Sequence, residues 1–208
     1  MNGTTHAVVG GTVGVSIGIA SNVPTETTFF LASAGIVAAL MPDIDTQGIL
    51  ANKLAAGKKL MCSVCTLAAI CLGIMWFLGE LSWNAYMLIP IVIGLIAVPP
   101  VIPKKYFVSG AGSLLAGIGI YTQLNAIIYL GVFILIGSLL PHRSYTHSIL
   151  GLAFWGIISV YLELWLAVEQ LMVTLVIAYA SHLLLDSKYI PPNRRGIKLF
   201  LPFSNKNF

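Results

Sequence analysis

Charge is what this sequence has least of. Asp, Glu, Lys and Arg together make up 9% of its 208 residues, whereas a soluble domain carries about 25%. So few charges cannot cover a water-facing surface, which excludes a soluble globular domain, and the 58% hydrophobic content calls for lipid. Cysteine is scarce too: Cys62, Cys65 and Cys71 all lie in one apolar segment. Cys62-x-x-Cys65 has the spacing of a metal or redox motif, but no second pair completes a site, and small thiols readily line a helix. Nothing in the cysteine pattern requires an oxidising compartment. No repeat, low-complexity tract or long polar tail marks a soluble domain. The first apolar run follows Met1-Asn2-Gly3-Thr4 without a basic segment, so no cleaved signal peptide is expected. A basic surface interleaved with aromatics is also missing, which argues against nucleic acid as a partner.

What is present is a series of apolar runs near the length of about 20 residues that spans a bilayer. They fall at 5–20, 27–42, 60–79, 84–102, 106–120, 124–141, 147–166 and 168–186. The expected fold is therefore all-α, a polytopic transmembrane bundle of about eight spans. The first run is short and rich in glycine (Gly10, Gly11, Gly14, Gly18), which allows close helix contact.

The connections carry the charge. Lys53, Lys58 and Lys59 follow the second run, Lys104 and Lys105 the fourth, Arg143 the sixth, and Lys188, Arg194, Arg195, Lys198 and Lys206 the eighth. The alternate connections hold Glu26, Glu80, Glu163 and Glu169 and no basic residue. The positive-inside rule then puts every basic residue, and with eight spans both termini, in the cytoplasm. The net charge of +4 is accounted for by this rule and by attraction to anionic headgroups. Residues 1–186 are expected to form the bundle of a multi-pass inner (plasma) membrane protein. Residues 187–208 form a basic cytoplasmic or interfacial tail whose Leu199, Phe200, Leu201 and Phe203 suit the leaflet surface.

Seven further ionisable groups gather at the cytoplasmic ends of these runs: His6, Asp43, Asp45, His142, His147, His182 and Asp186. Such groups at membrane depth are costly and tend to mark function. His182 and Asp186 are four apart, so they share a helix face and can both bind one ion, or the carboxylate can orient the imidazole. Asp43-Ile44-Asp45 follows Pro42, and two carboxylates so close in apolar surroundings call for a divalent cation. His142 and His147 flank one loop, in which Ser144 or Thr146 can cap the next helix. That cap would put His147 in the first helical turn and His142 in the loop, folded back toward the same ion. Arg143 stays protonated and cannot ligate a metal, but its planar fork suits a phosphate or carboxylate.

Structural zinc sites favour cysteine, whereas up to four imidazoles and three carboxylates suit a catalytic centre of one or two divalent ions, Zn, Mn or Fe. The chemistry inferred is metal-assisted hydrolysis. Asp43, Asp45, Asp186 and the histidines hold the metal, and Arg143 grips an anionic substrate with help from Arg194 and Arg195. Whichever of Asp45 or His142 is not a ligand serves as general acid or base. The partners expected are membrane lipids and an anionic amphiphilic substrate. A divalent-ion or proton-coupled transporter and a non-enzymatic membrane scaffold are the alternatives.

Thr5-His6, Pro42-Asp43-x-Asp45, His142-Arg143-x-x-Thr146-His147-Ser148 and His182-x-x-x-Asp186 span nearly the whole chain. Their pattern resembles the YdjM-like family of membrane-bound, predicted metal-dependent hydrolases, described as LexA-binding inner-membrane-associated hydrolases. The family's motifs are similar in logic to those of zinc-dependent phospholipases, so the resemblance implies Zn or Mn and a phosphoester or phospholipid-like substrate, by analogy between sites.

Overall fold

Each of the eight apolar runs is a helix in the computed structural model, which describes residues 2–45, 49–54, 56–82, 84–190 and 196–208, without the side chains of Asp45 and Leu54. In chain order the helices are α1 (Gly3–Ala20), α2 (Thr25–Leu40), α3 (Ile49–Leu54), α4 (Gly57–Phe77), α5 (Ala85–Val101), α6 (Lys104–Thr122), α7 (Asn125–Leu139), α8 (Ile149–Leu166) and α9 (Leu171–Asp186). Two 3-10 turns, Met41–Asp45 and Tyr145–His147, interrupt the series, and no strand occurs among the described residues. The short α3 lies between apolar runs, so hydrophobic patterning does not announce it.

Among the described residues, three stretches are long and apolar enough to cross a bilayer: Thr25–Ile44, Ile49–Phe77 and Ile149–Leu166. A fourth is added if α5 and α6, bent by 89° at their junction, form one broken span. The bend has a local cause. Pro103 disfavours helical geometry at the residue before it, and Ile102 is extended at φ −61°, ψ 120°. The last carbonyls of α5 then lack helical donors; Lys58 Nζ supplies them, donating to Pro100 O (2.8 Å) and Ile102 O (2.6 Å). Lys104 Nζ reaches Asn52 Oδ1 (3.2 Å) at the same junction. α7 and α9 are apolar but shorter; at 1.5 Å per residue they extend about 23 Å, against a hydrocarbon core of about 30 Å.

The helix ends are set by side chains. Asn2 caps α1 by accepting from Thr5 N (2.9 Å), and Asn84 caps α5 by accepting from Met87 N (3.1 Å). Glu163 Oε2, on the last turn of α8, accepts from Met172 N (2.6 Å). This places a carboxylate at the positive end of α9 and closes the α8–α9 hairpin.

α9 is the hub, packed against α1, α2 and α8. Leu171, Leu175, Ala178, His182 and Asp186 recur every three or four residues along its buried side. Trp155 stacks on Tyr179 (5.6 Å between ring centres) and donates through Nε1 to Leu175 O (3.1 Å), with Phe133 edge-on to both rings. α1 reaches the hub because it packs on α2 backbone to backbone: a Cβ at Gly10 would overlap Gly35, and one at Gly14 would overlap Leu31. The C-terminal tail folds back toward the start of α8, where Ile149 N donates to Leu199 O (2.9 Å) and Phe208 pairs with Ile197 (2.8 and 2.9 Å).

Gly14→Val is expected to destabilise the protein by about 1–3 kcal/mol or more through overpacking. Gly94→Ala, where an added Cβ meets nothing within 4 Å, leaves stability unchanged or slightly raised. Thermal unfolding in detergent reads both, and equal responses would contradict the close α1–α2 contact.

Candidate metal centre

Two turns and the start of α1 bring polar residues to the C-terminal end of α9. Asp43 arrives on the 3-10 turn that follows α2, His147 on the 3-10 turn before α8, and His182 and Asp186 on the last turns of α9. His147 and His182 are wholly inaccessible to solvent, and Asp186 is 3% exposed. One ligand atom from each of these four residues lies within 4.8 Å of every other. His147 Nε2 is 3.3 Å from His182 Nε2 and 3.4 Å from Asp43 Oδ1; His182 Nε2 is 3.6 Å from Asp43 Oδ1. Asp186 Oδ2 completes the group at 3.9 Å from His147 Nε2 and 3.8 Å from His182 Nε2.

These separations test whether a metal fits. Zinc binds histidine and carboxylate at about 2.0–2.2 Å, and in a tetrahedron such ligands stand about 3.4 Å apart. The five donor–donor distances above run from 3.3 to 3.9 Å. Five of the six separations in this set of two imidazoles and two carboxylates are thus close to those of a tetrahedral site.

Orienting groups point the right atoms inward. His182 Nδ1 is 2.6 Å from Ala39 O; a carbonyl only accepts, so Nδ1 carries the hydrogen and the Nε2 lone pair faces the cluster. His147 Nδ1 is 3.1 Å from Thr146 Oγ1. Tyr179 donates its hydroxyl hydrogen to Thr146 O, which ties the Tyr145–His147 turn to α9. The turn is further held by Ser148, whose hydroxyl donates to Tyr145 O (2.7 Å) and accepts from Gly151 N (3.3 Å).

His6 adds a third imidazole. It is 1% exposed, stacks on His182 at 3.8 Å, and puts Nε2 3.3 Å from Asp186 Oδ1. Its Nδ1 has no hydrogen-bond partner among the described residues, which is costly for a buried polar group unless an ion or a water takes it up. Asp186 thus turns one oxygen to His6 and the other to His147 and His182. Arg143 also reaches Asp186, with Nη2 3.5 Å from Oδ2, and donates through Nη1 to Gly196 O (3.3 Å). Its side chain remains 22% accessible. Its backbone is left-handed (φ 58°), an uncommon conformation for a residue with a side chain.

Of the predicted site residues, the fold brings Asp43, His147, His182 and Asp186 into one donor group, with His6 and Arg143 against it. His142 stands at the rim, exposed, its ring edge-on to His147 at 5.3 Å and outside the four-donor group. The side chain of Asp45, and Arg194 and Arg195, lie outside the described residues. The local reading of the loop needs correction. Ser148, not Ser144 or Thr146, caps α8, so His147 sits in a 3-10 turn before the helix rather than in its first turn. The physical reason is local: Ser148 is extended (φ −123°, ψ 168°) and its hydroxyl accepts from Gly151 N, so the helix starts only at Ile149. Sequence reasoning also missed the groups that orient the ligands. Thr146 was visible as a hydroxyl beside a candidate ligand, but the Ala39 and Gly196 carbonyls leave no residue signature.

The model of the YdjM inner membrane protein family matches residues 1–208. The chain belongs to the YdjM inner membrane protein family. No curated protein and no solved structure matches it. The match covers every segment that supplies a donor, so the candidate centre of this YdjM-family chain lies wholly within the family unit.

Asp186→Asn and His182→Ala are expected to abolish stoichiometric metal, and Thr146→Val to weaken binding about 10–100-fold as an orienting group. His142→Ala keeps its metal. Elemental analysis of protein purified without chelator and with Zn or Mn supplied measures each; retention of metal by the first two variants would place the ion elsewhere.

Proposed function

We propose that this YdjM-family protein is a multi-pass inner-membrane hydrolase of anionic phosphoesters, working through a Zn or Mn centre at the cytoplasmic interface. The observation that carries the reading is the largely buried His147–His182–Asp43–Asp186 group, whose ligand atoms all lie within 4.8 Å of one another. Eight apolar helices in series, with Lys58 and Lys104 meeting at one helix end, support eight crossings with the basic connections in the cytoplasm. Short α7 and α9 are accommodated where neighbouring helices shield them or the bilayer thins.

In this reading Asp43, His147, His182 and Asp186 hold the ion. When bound, the ion supplies Lewis acidity that favours charge build-up on a phosphoryl oxygen. Asp186 offers its second oxygen to His6, so these two side chains would help hold a second ion if one binds. Arg143, partly accessible beside Asp186, binds a substrate oxygen and aligns the phosphorus with the donors. His142, at the rim and outside the donor group, is placed to take a proton from the attacking water or to give one to the leaving oxygen. Burial of the cluster among Ala39, Ile44, Ala178 and Leu183 excludes bulk water and strengthens each electrostatic contact.

Divalent-ion transport is less well supported. Transport sites sit near the bilayer midplane on broken helices, whereas these donors come from one helix start, one helix end and two turns.

Purified protein in lipid nanodiscs is expected to release alcohol or phosphate from a phosphoester panel only with metal present. His142→Ala lowers kcat about 10²–10⁴-fold with metal retained, and Arg143→Lys raises KM more than it lowers kcat. A wild-type protein that takes up no Zn or Mn would sink the reading. Metal flux into proteoliposomes that is lost in Asp43→Asn, without any hydrolysis, would replace it with transport.

A further inference from the structure

Next to the donor group lies a hollow that the proposed chemistry does not use. α7 and α8 are joined by the nine residues 140–148 rather than by a tight turn. Between them is a cavity of about 500 Å³, almost wholly apolar, within the range of about 300–1,000 Å³ usual for ligand sites. Phe133 and Ile136 of α7, Phe154 and Ile157 of α8, and Leu140 and Tyr145 of the connection line it. Ile136, Ile157 and Tyr145 are 50%, 48% and 37% exposed, so the groove opens sideways. Its α8 wall is part of a stretch apolar and long enough to cross the bilayer. What faces it there is hydrocarbon, and an apolar hollow at that depth offers water no hydrogen bonds.

The groove and the metal centre share a boundary. Thr146 lines the groove and its hydroxyl contacts His147 Nδ1. Leu140 and Tyr145, both in the lining, bracket the residues that carry His142 and Arg143. Along α8 the lining runs from the loop to Ile157, about 12 Å at 1.5 Å per residue. One leaflet of a hydrocarbon core is about 15 Å deep. The groove therefore extends from the centre through one leaflet and stops near the midplane. Its dimensions match a single acyl chain of the leaflet on whose headgroup side the metal centre lies.

We infer that the α7–α8 groove holds an acyl chain of the substrate, with the phosphate head at Arg143 and the metal donors, so the substrate is a membrane phospholipid or another acyl-bearing phosphoester that enters from the bilayer. The inference rests on the hydrolase reading for what happens to the head, but the groove's occupant is testable without it.

The test uses the full chain, metal-loaded, in phosphatidylglycerol nanodiscs with a tracer of phosphatidylglycerol that carries a photoactivatable group in one acyl chain. After irradiation, labelled peptides are mapped by mass spectrometry. Label is expected to concentrate on Ile136, Leu140, Phe154 and Ile157, several-fold above Ile74 and Phe77 of α4, which are 53% and 84% exposed and report bulk lipid. Ala153→Trp fills the groove from an exposed lining position and removes that excess while bound metal stays stoichiometric. Ile157→Trp serves if the first variant does not fold. In the same proteins, wild type prefers a long-chain over a short-chain phosphoester by about tenfold or more in kcat/KM, and the filled variants lose the preference. Even labelling of groove and α4, or labelling that survives both Trp variants, overturns the inference. Groove-specific labelling in a protein that hydrolyses no phosphoester overturns the hydrolase reading instead and leaves the groove as a lipid site.

Discussion

Two carboxylates and three imidazoles buried in an apolar helical bundle are the constraint on which the rest of this structure depends. Asp43 and Asp186 bring two negative charges to a place where His147 and His182 have no contact with water, and Arg143 offers one positive charge to one of them. Such a group is unfavourable in a low-dielectric interior unless a cation joins it. The spacing of the donor atoms suits that cation, and the packing that produces the spacing explains features remote from it.

Those features follow in sequence. The glycines of α1 bring its backbone onto α2, which sets His6 over His182 and lets the α2 end deliver Asp43. Ala39 contributes no side-chain chemistry, yet its carbonyl sets the tautomer of His182. Tyr179 and Trp155 do two things at once: they fill the centre of the bundle, and the tyrosine hydroxyl pins the turn that presents His147. Core packing and ligand geometry are thus one interaction network, so core substitutions near α9 act on the site as well as on stability.

The same loop that carries the site also separates α7 from α8. A tight hairpin would have closed the groove and left no room for His142 and Arg143 at its mouth. The longer connection gives a charged head end and an apolar side opening within one leaflet's depth, a shape suited to an amphiphile and poorly suited to a small hydrophilic ester.

Much of this was legible in the sequence. Low charge and eight apolar runs determined a helical membrane protein, and the helix limits fall within a few residues of those runs, because lipid makes backbone hydrogen bonding and side-chain apolarity local requirements. The i, i+4 spacing of His182 and Asp186 and the Pro-Asp turn after α2 identified donors for the same reason: each is a short-range pattern. Tertiary structure alone decided which of His142 and His147 enters the donor group, since that depends on a 3-10 turn held by Tyr179 from 33 residues away. It alone decided the orienting carbonyls of Ala39 and Gly196, because every residue has a carbonyl and only packing aims one. The α7–α8 groove belongs to the same class: a hollow is made by where two helices are not, and the apolar residues that line it look in sequence like any others that face lipid.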